Sequence, residues 1–367
     1  MYFKSTIIAC IVFVCIFSCS EKNSYNINNI NEFSVSNGNI LSSNIVSGYL
    51  NDFVVLKGNV IASDYIGKSL FVINKMDSLN TYKEFKFEGR GPGEYLNIDH
   101  IDGHGDHLFL LDTYSRLIIK YLIINDSLSY RGDYLVPNPE GMIAKEFSVI
   151  DDRTVIIGFM KGFAREDLRD ERSLYLKKLN LDTYEYTDLL EVPAQEYYKL
   201  TIGGGFSVGP KPFGYTPHFE TSINSVFQAS NTSLEINEID LFGNKVSNTK
   251  IKLFENNKKA VTDLDIMNWM PDMFSSNQQA QIRFELSESW PIYSGFFIDD
   301  NDQIWLSPNI DEFEEYKLWI FFDRETGGPL GKIILNRPSR LVYKSDNILV
   351  GYSQVNNKTE IIAFEIN

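Results

Sequence analysis

The run Phe87-Glu88-Gly89-Arg90-Gly91-Pro92-Gly93-Glu94-Tyr95, continued directly by an apolar, polar, apolar stretch over residues 97–121, constrains this chain more than any other segment. Glycines at alternate positions give the backbone conformations that a β-carbon forbids. Pro92-Gly93 suits the two central places of a type II turn, with Gly93 at positive φ. The segment predicts a tight, rigid crossing from one sheet to the next.

A hairpin pattern repeats along the whole chain. An apolar strand, a short polar turn and a second apolar strand recur at residues 53–63, 98–111, 147–157, 219–229, 296–306 and 341–351. The turns are built from Gly, Asn, Asp and Ser, as in Lys57-Gly58-Asn59 and Asp300-Asn301-Asp302, and these residue types tolerate tight hairpins. Outer strands follow each pair, at 69–73 and 81–87, 117–123 and 128–134, 174–179 and 186–192, 234–239 and 250–254, and 318–322 and 330–335. If Asn59, His107, Thr154, Ser225, Gln303 and Asn347 each start an equivalent second strand, the spacings are 48, 47, 71, 78 and 44 residues. Internal repetition of this kind predicts an all-β, six-bladed β-propeller with four-stranded antiparallel blades. The last blade runs out of chain after residues 361–366, so 32–35 is expected to return as its fourth strand and close the ring. The two long spacings imply insertions near residues 193–217 and 255–288. The second reads as two short helices, one from Asp263 after a Thr262 cap and one over 278–286 after Ser275-Ser276.

With the glycine crossing, Asp106 to Asp112 and Arg116-Leu117-Ile118 in place, residues 89–121 resemble an NHL-type propeller repeat. The whole chain is similar to the six-bladed, TolB-like propeller lipoproteins of Gram-negative bacteria. Asp64 and Lys68 repeat the four-residue offset of Asp112 and Arg116. The resemblance implies a place in the cell envelope and a part in an envelope complex.

The N-terminus supports export independently. Lys4 precedes the apolar run 7–17, which is too short for a mature membrane span, and Ile16-Phe17-Ser18-Cys19 occupies the four places of a lipobox. Residues 1–18 are therefore expected to be a lipoprotein signal peptide, Cys19 the lipidated residue, 19–31 a linker and 32–367 the propeller. Cys10, Cys15 and Cys19 all lie in this segment, so the mature chain has no internal disulfide, thiolate zinc site or cysteine nucleophile. Removal of residues 1–18 takes away Lys4 and no acid, and 33 basic against 49 acidic side chains leave a net charge of −16. Such a body repels phosphate backbones, and nucleic acid is not an expected partner.

In an up-and-down blade the first-to-second and third-to-fourth turns share one face. The second-to-third loops and the crossings to the next blade share the other. The glycine crossing, the loops after Asp64 and Asp112 and both insertions fall on this second, elaborated face, which loop-borne function favours. The candidate binding residues there are Arg90, Glu94, Tyr95, Asp112, Arg116, Tyr198, Phe206, Tyr215 and Trp269.

His100, His104 and His107 with Asp99, Asp102 and Asp106 form the densest group of potential metal ligands. Alternation along a hairpin sends successive side chains to opposite faces, so no metal is expected. Nor is any cofactor. Asp299-Asp300-Asn301-Asp302 reads as a solvated hairpin turn, His218 has no partner by motif, and no nucleophile elbow or zinc-protease helix occurs. The expectation is a non-enzymatic binding or scaffolding lipoprotein for a protein or glycan of the cell envelope. The alternative is a carboxylate- or metal-dependent glycan hydrolase, lyase or lactonase with its site in the propeller channel.

Overall fold

In the computed structural model, the described residues are 26–367 apart from 46–49, 75–81, 138, 140, 163–171, 203–204, 254–258, 270–274 and 356–357. Six four-stranded antiparallel sheets follow one another along the chain, and the first strand of each touches the first strands on either side. The first strands are Leu50–Leu56, His100–His104, Met142–Asp151, Pro217–Thr221, Tyr293–Ile298 and Arg340–Ser345, and their contacts close into a ring. This is a six-bladed β-propeller.

The radial order of strands explains the hydropathy of each one. Second and third strands are covered on both faces by neighbouring blades, so Asn59–Asp64, Ile304–Pro308 and Leu318–Phe322 are buried at every position. First strands alternate, as Tyr293–Ile298 does, because one face lines the axis. Six apolar clusters fill the six junctions between blades. That between blades five and six carries Phe297, Trp305, Trp319 and Phe321, with Trp305 and Phe321 stacked at 4.7 Å.

A charged fastening recurs at three junctions. Lys120 lies 5.1 Å over the Phe109 ring and 2.9 Å from Asp152 of the next blade. Arg324 of blade five lies 4.9 Å over Phe227 of blade four and reaches Glu238 at 2.6 Å and Asp302 at 3.0 Å. Lys344 of blade six lies 6.0 Å from the Trp305 ring and 3.0 Å from Asp299, both of blade five. Cation, ring and carboxylate together let a charge sit inside an interface that would otherwise exclude it. In the turn at 299–302, Asp300, Asn301 and Asp302 are exposed as expected and Asp299 is the exception. Asp299 is buried and accepts hydrogen bonds from Asn301 N, Gln303 N and Trp305 Nε1.

The glycine crossing forms the expected turn. Glu94 N donates to Gly91 O at 2.9 Å and Gly93 has φ +74°. The Glu94 carboxylate folds back to accept from Gly91 N at 2.7 Å, and Tyr121 donates its hydroxyl to Gly93 O at 2.7 Å. A β-carbon on Gly93 would meet the Tyr130 ring at 2.7 Å. Gly93→Ala is therefore expected to cost about 1–3 kcal/mol through positive φ and this clash. A urea midpoint equal to that of the native chain would show that the turn accepts the methyl group. The Asp64 and Asp112 loops match as the sequence suggests. Each aspartate caps its own turn through Oδ1, and Lys68 and Arg116 both adopt positive φ, +51° and +56°.

Three elements differ from expectation. The N-terminal segment does close blade six, but its fourth strand is Asn39–Ile45, paired antiparallel with Lys358–Glu365 through Asn39↔Ala363, Ile40↔Ile362 and Ile45↔Thr359. Residues 32–35 lie just before it. Glu32 bridges Lys332 on the outer strand of blade five and Val35 bridges Ile366, so this stretch laces two blades together before the strand begins. The fourth strand of blade four is Lys245–Lys250, not 250–254, because Asp240 and Gly243 at φ +85° make a turn tight enough to return the chain at once. The first insertion is no loose loop. It forms a hairpin, Tyr197–Ile202 with Gly205–Pro210.

Candidate functional site

The two insertions form one body. The hairpin packs against the helix Ser276–Glu285, with Leu200 and Ile282 buried at the centre and Tyr198, Ile266, Trp269 and Leu286 around them. Tyr198 and Trp269 meet edge to face at 5.7 Å. Both helices begin as their caps dictate. Thr262 and Asp265 exchange hydrogen bonds at the helix Asp263–Trp269, and Ser275 and Gln278 form a capping box at the other. The apolar side of the helices meets the neighbouring hairpin.

Beside this cap a cavity of about 600 Å³ runs along the axis between the first strands. Inward positions of five first strands supply most of its ionisable groups, Asp52, His100, Asp102 and His104, Glu146, His218 and Glu220, and Arg340, and the turn of blade five adds Asp300, which accepts from the Tyr343 hydroxyl at 3.1 Å. Phe53, Phe219, Phe296 and Tyr343 add rings to the wall. Tyr197 of the cap hairpin lies close enough to Glu146 to feel its charge, which links the cap to the lumen.

The groups are held firmly. His100 Nδ1 lies 2.9 Å from Asp52 Oδ2, which also accepts from Ile101 N at 3.2 Å. Asp102 accepts from Gly103 N and from Val149 N of the next blade, each at 2.7 Å. Burial raises the Asp102 carboxyl to about 7 even though both backbone donors pull it down. Burial likewise raises Glu146 to about 7, against the pull of His100, and Glu220 to about 8, with Asp102 adding to the effect. For His100, burial opposes the charge, but the Asp52 hydrogen bond and charge prevail and raise it to about 9. Burial and Arg340 lower His218 to about 4. Near pH 7 the lumen therefore holds a charged His100 and Arg340, an uncharged His218, two carboxyls close to half protonation, Asp102 and Glu146, and a mostly protonated Glu220. Such carboxyls can both donate and accept hydrogen bonds, a property of general acid–base and of polyol-binding sites alike.

These shifts fix a sign. Unfolded Glu220 ionises near pH 4.5, whereas folded Glu220 holds its proton to about 8. Stability must fall as pH rises through that window, because the unfolded chain gives up the proton first. His100 acts in the same direction between its ordinary value and about 9. Glu220→Gln, which faces Asp102 and Arg340, is expected to match the native Tm at pH 5 and exceed it by a few degrees at pH 9. A tenfold change in proton affinity is worth about 1.4 kcal/mol before lumen water reduces it. Thermal melts at the two pH values check this, and equal Tm differences at both would contradict it.

The residues singled out from sequence are dispersed. Tyr95 is buried, its hydroxyl donating to Lys68 O at 3.1 Å and accepting from Phe87 N at 3.2 Å. Asp112 is fully buried and accepts from Leu96 N at 2.7 Å and Ser115 N at 3.0 Å. Both hold the crossing from blade one to blade two. Arg90 and Arg116 are exposed on the periphery, and Glu94 is engaged with Gly91. Tyr198 and Trp269 are half-buried against each other, and Tyr215 is tied by its backbone to Glu196. The side chain of Phe206, together with Met270, Phe274 and Cys19, lies outside the described residues.

The histidines of the second blade part company. His100 turns to Asp52, and His107 lies 2.7 Å from Asp152. Among the described residues, no three His, Cys, Asp or Glu side chains converge as metal ligands do. Asp52, Glu146, Glu220 and Arg340 were not singled out. Their signal is positional, since each is a charged residue on the inward side of a first strand.

No protein-family model matches the sequence, and no curated protein matches it. Solved structures do. A Bacteroides fragilis protein named "Putative exported protein" superposes with a TM-score of 0.51 at 13% identity, over 91% of this chain and 95% of that one. The fold is shared; the sequence is not. A member of the DUF4221 family from Bacteroides vulgatus gives 0.48 at 12% identity over 92% and 99% of the two chains. The calcium-binding protein regucalcin from Agrobacterium tumefaciens gives 0.47 at 7% identity over 92% and 95%. Among the described residues, no helix is long and apolar enough to cross a membrane.

Proposed function

We propose that this chain is an exported, lipid-anchored binding module that holds a glycan of the cell envelope in the mouth of its central channel. The observation that carries the reading is the axial cavity of about 600 Å³, within the size range of ligand pockets, lined by hydrogen-bonding carboxyls and histidines beside aromatic rings. Sugars are recognised by that combination of stacking and polar contacts. The anchor is Cys19, in the lipobox Ile16-Phe17-Ser18-Cys19, which holds the propeller at a membrane in the cell envelope. The net charge of −16 for residues 19–367 argues against nucleic acid as the partner.

The test uses residues 20–367 titrated calorimetrically with envelope-derived and plant oligosaccharides. Ser148→Trp, which fills the lumen, should abolish binding. Binding that survives this substitution removes the channel from consideration and leaves a protein partner on the outer face, to be sought in envelope extracts. Fatty-acid labelling of the full chain should be lost in Cys19→Ser.

A second reading rests on Glu146 and Glu220, whose raised carboxyls suit a general acid. It requires new reducing ends or unsaturated products, detected by mass spectrometry, that vanish in Glu146→Gln or Glu220→Gln.

A further inference from the structure

We propose that the lumen is selective for a sugar bearing a carboxylate, with Arg340 as the group that receives it. The inference rests on the glycan reading above and specifies the glycan's chemistry.

Arg340 stands at the start of the first strand of blade six and projects into the cavity. It keeps accessible surface, but that surface belongs to the lumen. Tyr352 of its own blade, Tyr316 of blade five, Asp52 of blade one, and His218 and Glu220 of blade four all lie within electrostatic range. The Tyr352 hydroxyl favours its charge, and the Tyr352 ring is stacked 4.3 Å from Phe53. Among the described residues, no carboxylate comes within the 4.0 Å of an ion pair with it.

The other cations held within the propeller differ, one in the lumen and three at blade junctions. His100 has Asp52, and Lys120, Arg324 and Lys344 each have an acid at 3.0 Å or less. The lumen's own acids are committed or protonated. Asp52 is held by His100 and Ile101 N, and Asp102 by two backbone donors. Glu220 keeps most of its proton at neutrality and Glu146 about half of its own, which weakens both as counter-charges.

A guanidinium that faces the lumen without a carboxylate partner is free to take one, and a ligand carboxylate would meet it in the planar, two-pronged geometry that arginine favours. A second group in the same quarter also lacks a partner. His218 Nε2 is buried without a hydrogen bond, and its ring is near enough to Arg340 to have its protonation suppressed. Arg340 and His218 thus mark a subsite for a carboxylate and an adjoining hydroxyl, with Glu146, Glu220 and Asp102 available to the remaining hydroxyls. One arginine among several acids suits a monoanion. A phosphate monoester, which carries close to two negative charges near neutral pH, is a poorer match for one arginine.

The experiment titrates residues 20–367 with galacturonate-, glucuronate- and neuraminate-terminated disaccharides, with the methyl ester of each, and with neutral disaccharides. The expected result is at least tenfold tighter binding of one acid than of its ester. Arg340→Gln should abolish that preference and Arg340→Lys should keep part of it. Should Arg340→Gln fail to fold, the rise in Tm of the native protein with the acid, compared with its ester, gives the same readout. Equal affinity for acid and ester, or a preference that survives Arg340→Gln, overturns the inference while leaving glycan binding intact. Absence of binding to every sugar overturns the glycan reading with it. Capture of a free peptide C-terminus in place of any sugar overturns the sugar class.

Discussion

A mature chain shortened to begin after Ile45 is expected to lose its cooperative fold, with Tm lowered by more than about 10 °C or the protein recovered only as aggregate. The segment does more than add one strand. Ile30 is buried in the junction between blades four and five, Val35 packs against that between five and six, and Leu41 is buried in that between six and one. Burial of side chains of this size is worth about 1.5–3 kcal/mol each, before the backbone pairing of Asn39–Ile45 is counted. The truncation would also bare the edge of Lys358–Glu365, a strand ready to pair with another molecule. Adding a peptide of residues 26–45 in trans should recover part of the lost Tm. Melting within two or three degrees of the intact protein would show that the ring is held shut by the blade cores alone.

Trp305→Ala is expected to cost about 3–5 kcal/mol, the upper range for a buried aromatic residue, measured by guanidinium denaturation. Trp305 is completely buried, stacks on Phe321 at 4.7 Å and Phe297 at 5.5 Å, and donates to Asp299 at 3.0 Å. Its removal leaves a cavity and also strips the buried Asp299–Lys344 pair of its ring and one of its donors. Trp305→Phe keeps most of the packing but not the N–H, and should cost about 1.5–3 kcal/mol, the worth of a hydrogen bond to a charged group. If alanine and phenylalanine cost the same, the hydrogen bond rather than the packing is decisive. If neither is felt, the junction repacks around the loss.

The repeat was readable because second strands are buried on both sides and so stay apolar in every blade. The starts read as Asn59, His107, Thr154 and Ser225 are the observed ones, and the other two lie one residue early. The glycine crossing was readable because a type II turn leaves little freedom of composition. The closing strand was harder to place. Asn39-Ile-Leu-Ser-Ser-Asn-Ile45 is as polar as an outermost strand can afford to be, whereas Phe33 and Val35 nearby look more like strand residues yet serve as lacing. Lys245–Lys250 was passed over for the same reason, since four of its six residues are exposed.

The lumen was the least legible part. Asp52, Glu146, Glu220 and Arg340 occupy the polar phase of ordinary alternating strands, and in most sheets that phase simply faces water. Only the ring turns it inward, and local sequence gives no sign of which charges will then meet. Of the candidate face residues, Tyr95 and Asp112 carry a strong local pattern because they hold the crossing together. A conspicuous motif there reported architecture.

The cap made by the two insertions bears on how this chain can change. Leu200 is covered by Ile282, and Tyr198 by Trp269, across more than sixty residues of intervening sequence. Shortening either insertion alone would leave the other with an uncovered greasy flank, so loss of one should be tolerated only when both go. A scheme that grafts single loops between propellers would fail here, and the transferable unit is the pair together with the fourth blade that separates them.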